Sequence, residues 1–112
     1  MFRTFQVMLD NAGNGSVDLS PYIESMEWDI YQLSIQTGKA TAACTCEVRH
    51  NGFFLCNSLQ GWKDTAVGPP DIVVQPGDML SVNWINGAAK DEATVGVWYN
   101  ENPTGTTYST AH

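Results

Sequence analysis

The sequence predicts an all-β chain, an antiparallel β-sandwich or jelly roll of about seven or eight strands. Three segments, 53–59, 79–85 and 93–99, alternate apolar with polar residues, which is the period of a half-buried strand. Turn chemistry separates them, Asn51-Gly52 before the first, Pro76-Gly77-Asp78 before the second and the return over 86–92 before the third. No comparable stripe at helical spacing accompanies them.

The first strand is expected over 2–9, closed by the loop Asp10-Asn11-Ala12-Gly13-Asn14-Gly15-Ser16, whose Gly and Asn supply positive φ angles. Residues 17–23 read as an edge or irregular segment, because Pro21 removes a ladder donor. From Met26 the apolar phase is Met26, Trp28, Ile30, and it then slips to Tyr31, Leu33, Ile35. Such a one-residue slip marks a β-bulge, which returns the later side chains to the same face.

Residues 42–49 and 53–59 form a hairpin across His50-Asn51-Gly52. A two-residue turn puts Cys44, Cys46 and Val48 on the face of Phe53 and Leu55; a three-residue turn with Gly52 left-handed aligns Cys46 with Cys56. Only the second register permits a disulfide, and reduced thiols are favoured. Residues 60–70, with Gly61, Trp62, Gly68 and Pro69-Pro70, read as a long connection and the best contact loop. A short strand at 71–74 leads into Gln75-Pro76-Gly77-Asp78, which fits a type II turn. Leu80, Val82 and Trp84 then face one way, and Val95, Val97 and Tyr99 face the same core, leaving Gly96 and Trp98 on the other side. Residues 1–103 are expected to form one sandwich domain, and 104–112 a polar tail ordered by a neighbouring subunit.

At 112 residues the chain fits one domain that buries roughly two thirds of its unfolded surface. Twelve acidic residues against five basic ones leave no clustered cationic surface for phosphates, so no nucleic-acid partner is expected. No stretch approaches the roughly twenty apolar residues of a membrane span, and Phe2-Arg3-Thr4 does not open a signal sequence. No membrane partner is expected, and synthesis is expected in a cytoplasm. Cys44, Cys46 and Cys56 fit neither a disulfide framework nor paired metal knuckles, and read as core-filling thiols.

Catalytic chemistry finds little support. The histidines are His50, in a hairpin turn, and His112, which disfavours a nucleophile–histidine pair. Asp64, Asp71, Asp78, Asp91 and Glu92 lie in predicted turns, where carboxylates bond local backbone or stay hydrated. Asp10, Asn14 and Asp18 loosely resemble a calcium loop, but Ala12 replaces a ligand and no Glu closes it. Cys44 and Cys46 on one strand face, about 7 Å apart, with Cys56 lack a fourth zinc ligand. No enzyme activity and no cofactor is expected. Trp28 and Trp84 take inward phases, whereas Trp62 and Trp98 are free for a partner. Such aromatics, with Tyr99, stack on a sugar or anchor a protein interface, and the interface is favoured.

The segments Trp28-Asp29-Ile30-Tyr31-Gln32-Leu33-Ser34-Ile35, Arg49-His50-Asn51-Gly52, Gly68-Pro69-Pro70, Pro76-Gly77-Asp78 and Val97-Trp98-Tyr99 resemble small accessory virion proteins of tailed phages, particularly those of actinobacterial hosts. These decorate capsids or occur as minor tail components. The resemblance implies a non-enzymatic, multi-copy role in the virion, with capsid or tail proteins as partners and a homo-oligomer, a trimer among the options. It carries over no active-site residues. The expected interface comprises Phe2, Phe5, Trp62, Pro69, Pro70, Trp98 and Tyr108. The alternatives are a tail-tip component and a carbohydrate-binding module for attachment to a host surface.

Overall fold

Period-two alternation becomes two-sided burial along the last two strands. Leu80, Val82 and Trp84 are fully buried, as are Val95, Val97 and Tyr99, while Ser81, Asn83 and Trp98 between them are partly exposed. The computed structural model describes residues 1–21 and 25–103, and of residues 53, 54, 56–58 and 67–71 the backbone alone. Among them are eight strands and no helix: β1 Phe2–Met8, β2 Gly15–Leu19, β3 Met26–Thr37, β4 Thr45–His50, β5 Phe53–Gln60, β6 Lys63–Val74, β7 Leu80–Ile85 and β8 Glu92–Pro103. The expected polar tail, with Tyr108, lies outside the described residues.

Each strand pairs antiparallel with its mirror in the chain: β1 with β8, β2 with β7, β3 with β6, β4 with β5. The chain is therefore one long ribbon doubled back at Asn51-Gly52. Further pairings of β3 with β8 and β4 with β7 fold the ribbon into two sheets, ordered β1-β8-β3-β6 and β2-β7-β4-β5. We call them sheet A and sheet B. Their inner faces share one core, with Trp28, Ile30, Leu33, Ile35 and Tyr99 from sheet A meeting Leu19, Val48, Leu80, Val82 and Trp84 from sheet B. Each such side chain contributes about 1.5–3 kcal/mol by leaving water, and Trp28 also stacks on Tyr99 with ring centroids 4.7 Å apart.

The bulge expected in the third strand is present. Ile30 pairs with Tyr99 and Gln32 with Trp98, so Tyr31 is the extra residue, and it is exposed while Leu33 and Ile35 return to the core. The two turns read from sequence also form. Asn51 and Gly52 take φ values of 51° and 88°, the two-residue hairpin of type I′. Asp78 N–H donates to Gln75 O at 2.9 Å with Gly77 at φ 90°, as a type II turn requires.

Three expectations need correction. The long connection over 60–70 is instead a two-residue turn at Gly61 and Trp62 followed by a twelve-residue strand, β6. Its prolines are tolerated because β6 borders sheet A and its register against β3 jumps from Val67 to Ile72. Pro69 and Pro70 thus fall where no ladder bond is asked of them. Next, the two-residue hairpin does not keep its expected facing, because β5 slips twice against β4. Val48 lies opposite Cys56 and Cys46 opposite Leu59, and Cys46 is a free thiol, so the disulfide register is not formed. Finally, the 42–49 strand starts at Thr45, because Cys44 N–H closes a turn onto Thr41 O at 2.9 Å.

Candidate interaction surface

The outer face of sheet A is read directly from its register. Phe2, Trp98 and Gln32 lie side by side in one row; Thr4, Gly96, Ser34 and Thr65 form the next; Gln6, Thr94 and Gln36 form a third, ending at Lys63. Apart from that lysine none of these residues is charged, although the chain carries a net charge of −7. At one border Phe2 is 52% exposed, and its ring centroid lies 4.4 Å from that of the half-buried Trp98. Gly96 makes this possible: a Cβ there would sit 3.0 Å from the Phe2 ring, so the absence of a side chain leaves the ring its room. An aromatic pair of this kind, with Gln32, Thr4 and Ser34 rather than charges beside it, suits contact with another apolar surface, while Lys63 and the exposed Glu92, opposite Met8, place the charges of this face away from the pair.

The other expected interface residues do not join this pair. Phe5 belongs to the opposite face, half-buried against the core with its ring 6.5 Å from Trp28, because strand alternation puts it on the side away from Phe2. Trp62 sits in the turn after β5, half-buried, its carbonyl accepting the Thr37 N–H at 3.0 Å. Thr37 is five residues along β3 from Gln32 beside Trp98, roughly 17 Å at the strand rise. Pro69 and Pro70 lie in β6 on the far border of the same sheet, with backbone alone described, and Tyr108 lies outside the described residues. Tyr99, expected as a sugar-stacking partner, is fully buried.

Sheet B presents a different outer face. Asn14, Glu47, Arg49, Ser81 and Asn83, with Trp84 and Ile85, line an open groove of about 520 Å³, in which Arg49 Nη2 and Glu47 Oε2 are 3.5 Å apart. The three oxygens of the calcium-like loop are engaged by protein donors. Asp10 Oδ1 accepts the Ala12 and Asn14 N–H groups, both at 2.9 Å, Asn14 Oδ1 accepts Asn86 N–H at 3.1 Å, and Asp18 Oδ1 accepts the Ser81 hydroxyl at 3.0 Å. Asp64 likewise accepts the Gln60 and Thr65 N–H groups. Among the described residues no three His, Cys, Asp or Glu side chains are grouped for a metal ion.

Sequence reasoning missed two features near these faces. Glu27 is fully buried beside Trp28, although polar residues at outward phases are normally wet. Asp78, read as a local turn carboxylate, reaches across to the other hairpin. Its Oδ2 lies 3.1 Å from His50 Nε2 and its Oδ1 accepts from Asn51 Nδ2 at 3.2 Å. The only signal for it was that both turns carry short polar side chains.

No protein-family model, curated protein or solved structure matches this chain.

Proposed function

We propose that this chain is a non-enzymatic structural protein of a phage particle, a capsid decoration protein that binds the outer surface and stabilises it or presents a surface of its own. The observation that carries the reading is the outer face of sheet A, where the Phe2–Trp98 pair lies in three rows of side chains whose one charge is Lys63, at the far border. Interfaces are marked by aromatic enrichment and by depletion of charge at their centre.

The strand order supports the same reading. Two stacked sheets built from a doubled ribbon, with β1 on β8, β2 on β7, β3 on β6 and β4 on β5, are how a jelly roll is wound, and we read the fold as one. Jelly rolls serve in viral capsid and lectin domains, and the fold alone does not choose between them. The likeness of the hairpin and of the Trp28 strand to phage accessory proteins favours the virion. In this account the protein is made in the host cytoplasm and located in the virion, its partners are capsid or tail proteins and further copies of itself, and a minor tail position serves the same surface. The test is mass spectrometry and immunogold labelling of purified particles of the phage that encodes it. Labels spread over the shell support decoration, labels at the tail move it there, and absence from the particles contradicts the proposal.

One observation favours a carbohydrate-binding reading instead. The groove on sheet B offers amide, hydroxyl and charged groups of the kind that bind sugar hydroxyls. A glycan array settles it: specific binding that Asn83→Ala abolishes assigns the chain to the lectins, and silence leaves the virion reading in place.

A further inference from the structure

We propose that β1 is a self-pairing edge, through which two copies of this chain join sheet A to sheet A about a twofold axis at Phe5. The pairing stands on the strand border alone and does not require the virion reading.

Four strands border the two sheets, and three of them are guarded. β6 breaks register at the Gly68-Pro69-Pro70 segment, β5 slips twice against β4, and β2 is only five residues long, with Asp18 beside its centre. Bulges, prolines, shortness and charge are the devices by which sheet borders avoid pairing. β1 has none of them except the single charge of Arg3. It runs seven residues with no Pro or Gly, pairs with β8 without a slip, and carries one charge, Arg3.

The direction of its hydrogen bonds is fixed by its neighbour. Met1 and Tyr99 exchange backbone bonds of 2.7 and 2.9 Å, and Leu9 N–H donates to Asp91 O at 2.8 Å. In an antiparallel ladder such bonded pairs alternate, so residues 1, 3, 5, 7 and 9 face β8. Phe2, Thr4, Gln6 and Met8 therefore aim their N–H and C=O groups away from the sheet, and among the described residues no backbone group meets them there.

These four positions are self-complementary. In an antiparallel pairing centred on Phe5, Phe2 lies opposite Met8 of the second copy and Thr4 opposite its Gln6, each pair exchanging both backbone bonds. No other register in which outward groups meet uses all four. It also covers the apolar surface that β1 leaves in water. Met8 is 69% exposed and Phe2 52%, and the register sets each over the other, extending the Trp98–Phe2 pair by a thioether against a ring. Charge favours the same border. The chain has a net charge of −7, yet residues 1–9 hold Arg3 and no acidic residue, so two acidic molecules meet here without opposing carboxylates.

The test is the mass of the full chain in solution over a concentration series, by sedimentation equilibrium. The expected mass rises to twice the 12.3 kDa of the monomer. Two variants locate the contact. Gln6→Pro removes an N–H that no bond within one chain uses, and Thr4→Lys combined with Gln6→Lys places ammonium groups opposite one another at exposed positions. Both are expected to stay monomeric with the far-ultraviolet circular dichroism of the parent. If Gln6→Pro fails to fold, the double lysine variant decides. A parent that stays monomeric, one that forms trimers, or a double lysine variant that still dimerises overturns the proposal.

Discussion

Asp78 Oδ2 lies 3.1 Å from Nε2 of His50, twenty-eight residues earlier, and this contact ties the tip of the β4–β5 hairpin to the turn that enters β7. The same carboxylate accepts the Gln75 N–H at 3.0 Å and the Asn51 side-chain amide at 3.2 Å. Asn51 completes the clasp, donating its N–H to Met79 O and accepting Met79 N–H on Oδ1, both at 2.8 Å. Two turns far apart in sequence are thereby locked at one end of the sandwich.

Asp78→Ala is accordingly expected to destabilise the fold by about 1–3 kcal/mol near neutral pH, the cost of leaving the half-buried Gln75 N–H and His50 ring, and the exposed Asn51 amide, without an acceptor. Burial alone raises the Asp78 carboxyl, but the Gln75, Asn51 and His50 contacts outweigh it and hold the group below its ordinary value. A carboxyl more acidic when folded stabilises the fold fully above the unfolded value of about 3.9 and loses that contribution as pH falls through the folded one. Urea titrations of parent and variant should therefore differ near pH 7 and converge below about pH 4. A difference independent of pH contradicts this.

Burial pushes the Cys46 thiol up to about 12, with the neighbouring Cys44 adding to the effect, and Cys44 itself is raised by burial and by Asp91. Both thiols thus remain protonated at pH 8 and withhold the reactive thiolate. Iodoacetamide labelling followed by peptide mapping should leave Cys44 and Cys46 unmodified in the native protein and modify both in urea. Rapid native labelling of Cys46 would mean that β4 is not packed between β5 and β7 as described.

The tryptophans separate core from surface. Trp28→Ala and Trp84→Ala each empty a fully buried site and are expected to cost about 3–5 kcal/mol. Trp98→Ala, on the outer face, should change stability by no more than about 1 kcal/mol. Thermal melts of the three variants check this ordering. A Trp98 variant as unstable as the Trp28 variant would make the aromatic pair a structural element and remove its claim to a partner.

Deletions test the bulge. Removing Tyr31 leaves Trp28, Ile30, Leu33 and Ile35 in regular alternation, and the pairing of β3 with β8 closes without a slip. Removing Ser34 makes Leu33 and Ile35 neighbours, so that one of them must face water, at a cost of about 2–5 kcal/mol. The first deletion should fold and the second should melt far lower or not fold.

The inner faces of β7 and β8 are legible in the sequence because alternation is a local property: Leu80, Val82, Trp84, Val95, Val97 and Tyr99 announce their facing without reference to any other strand. The bulge at Tyr31 and the turns at Asn51-Gly52 and Gln75-Pro76-Gly77-Asp78 are local too. Strand order is not, since nothing within β1 says that it will lie beside β8. β6 escaped for a different reason. Proline forbids a strand only where its missing N–H is needed, and whether it is needed depends on a neighbour chosen by the tertiary fold. The same dependence hid the His50–Asp78 contact and put Phe5, but not Phe2, against Trp28. Of the expected interface, the sequence supports Trp98 through its phase opposite Val95 and Val97, while the partnership of Trp98 with Phe2 appears only once β1 and β8 are paired.

The most direct test of the account is co-sedimentation of the purified chain with particles lacking it, comparing the parent with Trp98→Ala. The parent should pellet with the particles to saturation, and the variant, equally folded, should bind at least roughly thirty-fold more weakly, the loss of about 2 kcal/mol that marks an interface hot spot. A parent that stays in the supernatant, or a variant that binds as tightly as the parent, contradicts the claim that the outer face of sheet A around Phe2 and Trp98 is completed by other protein chains.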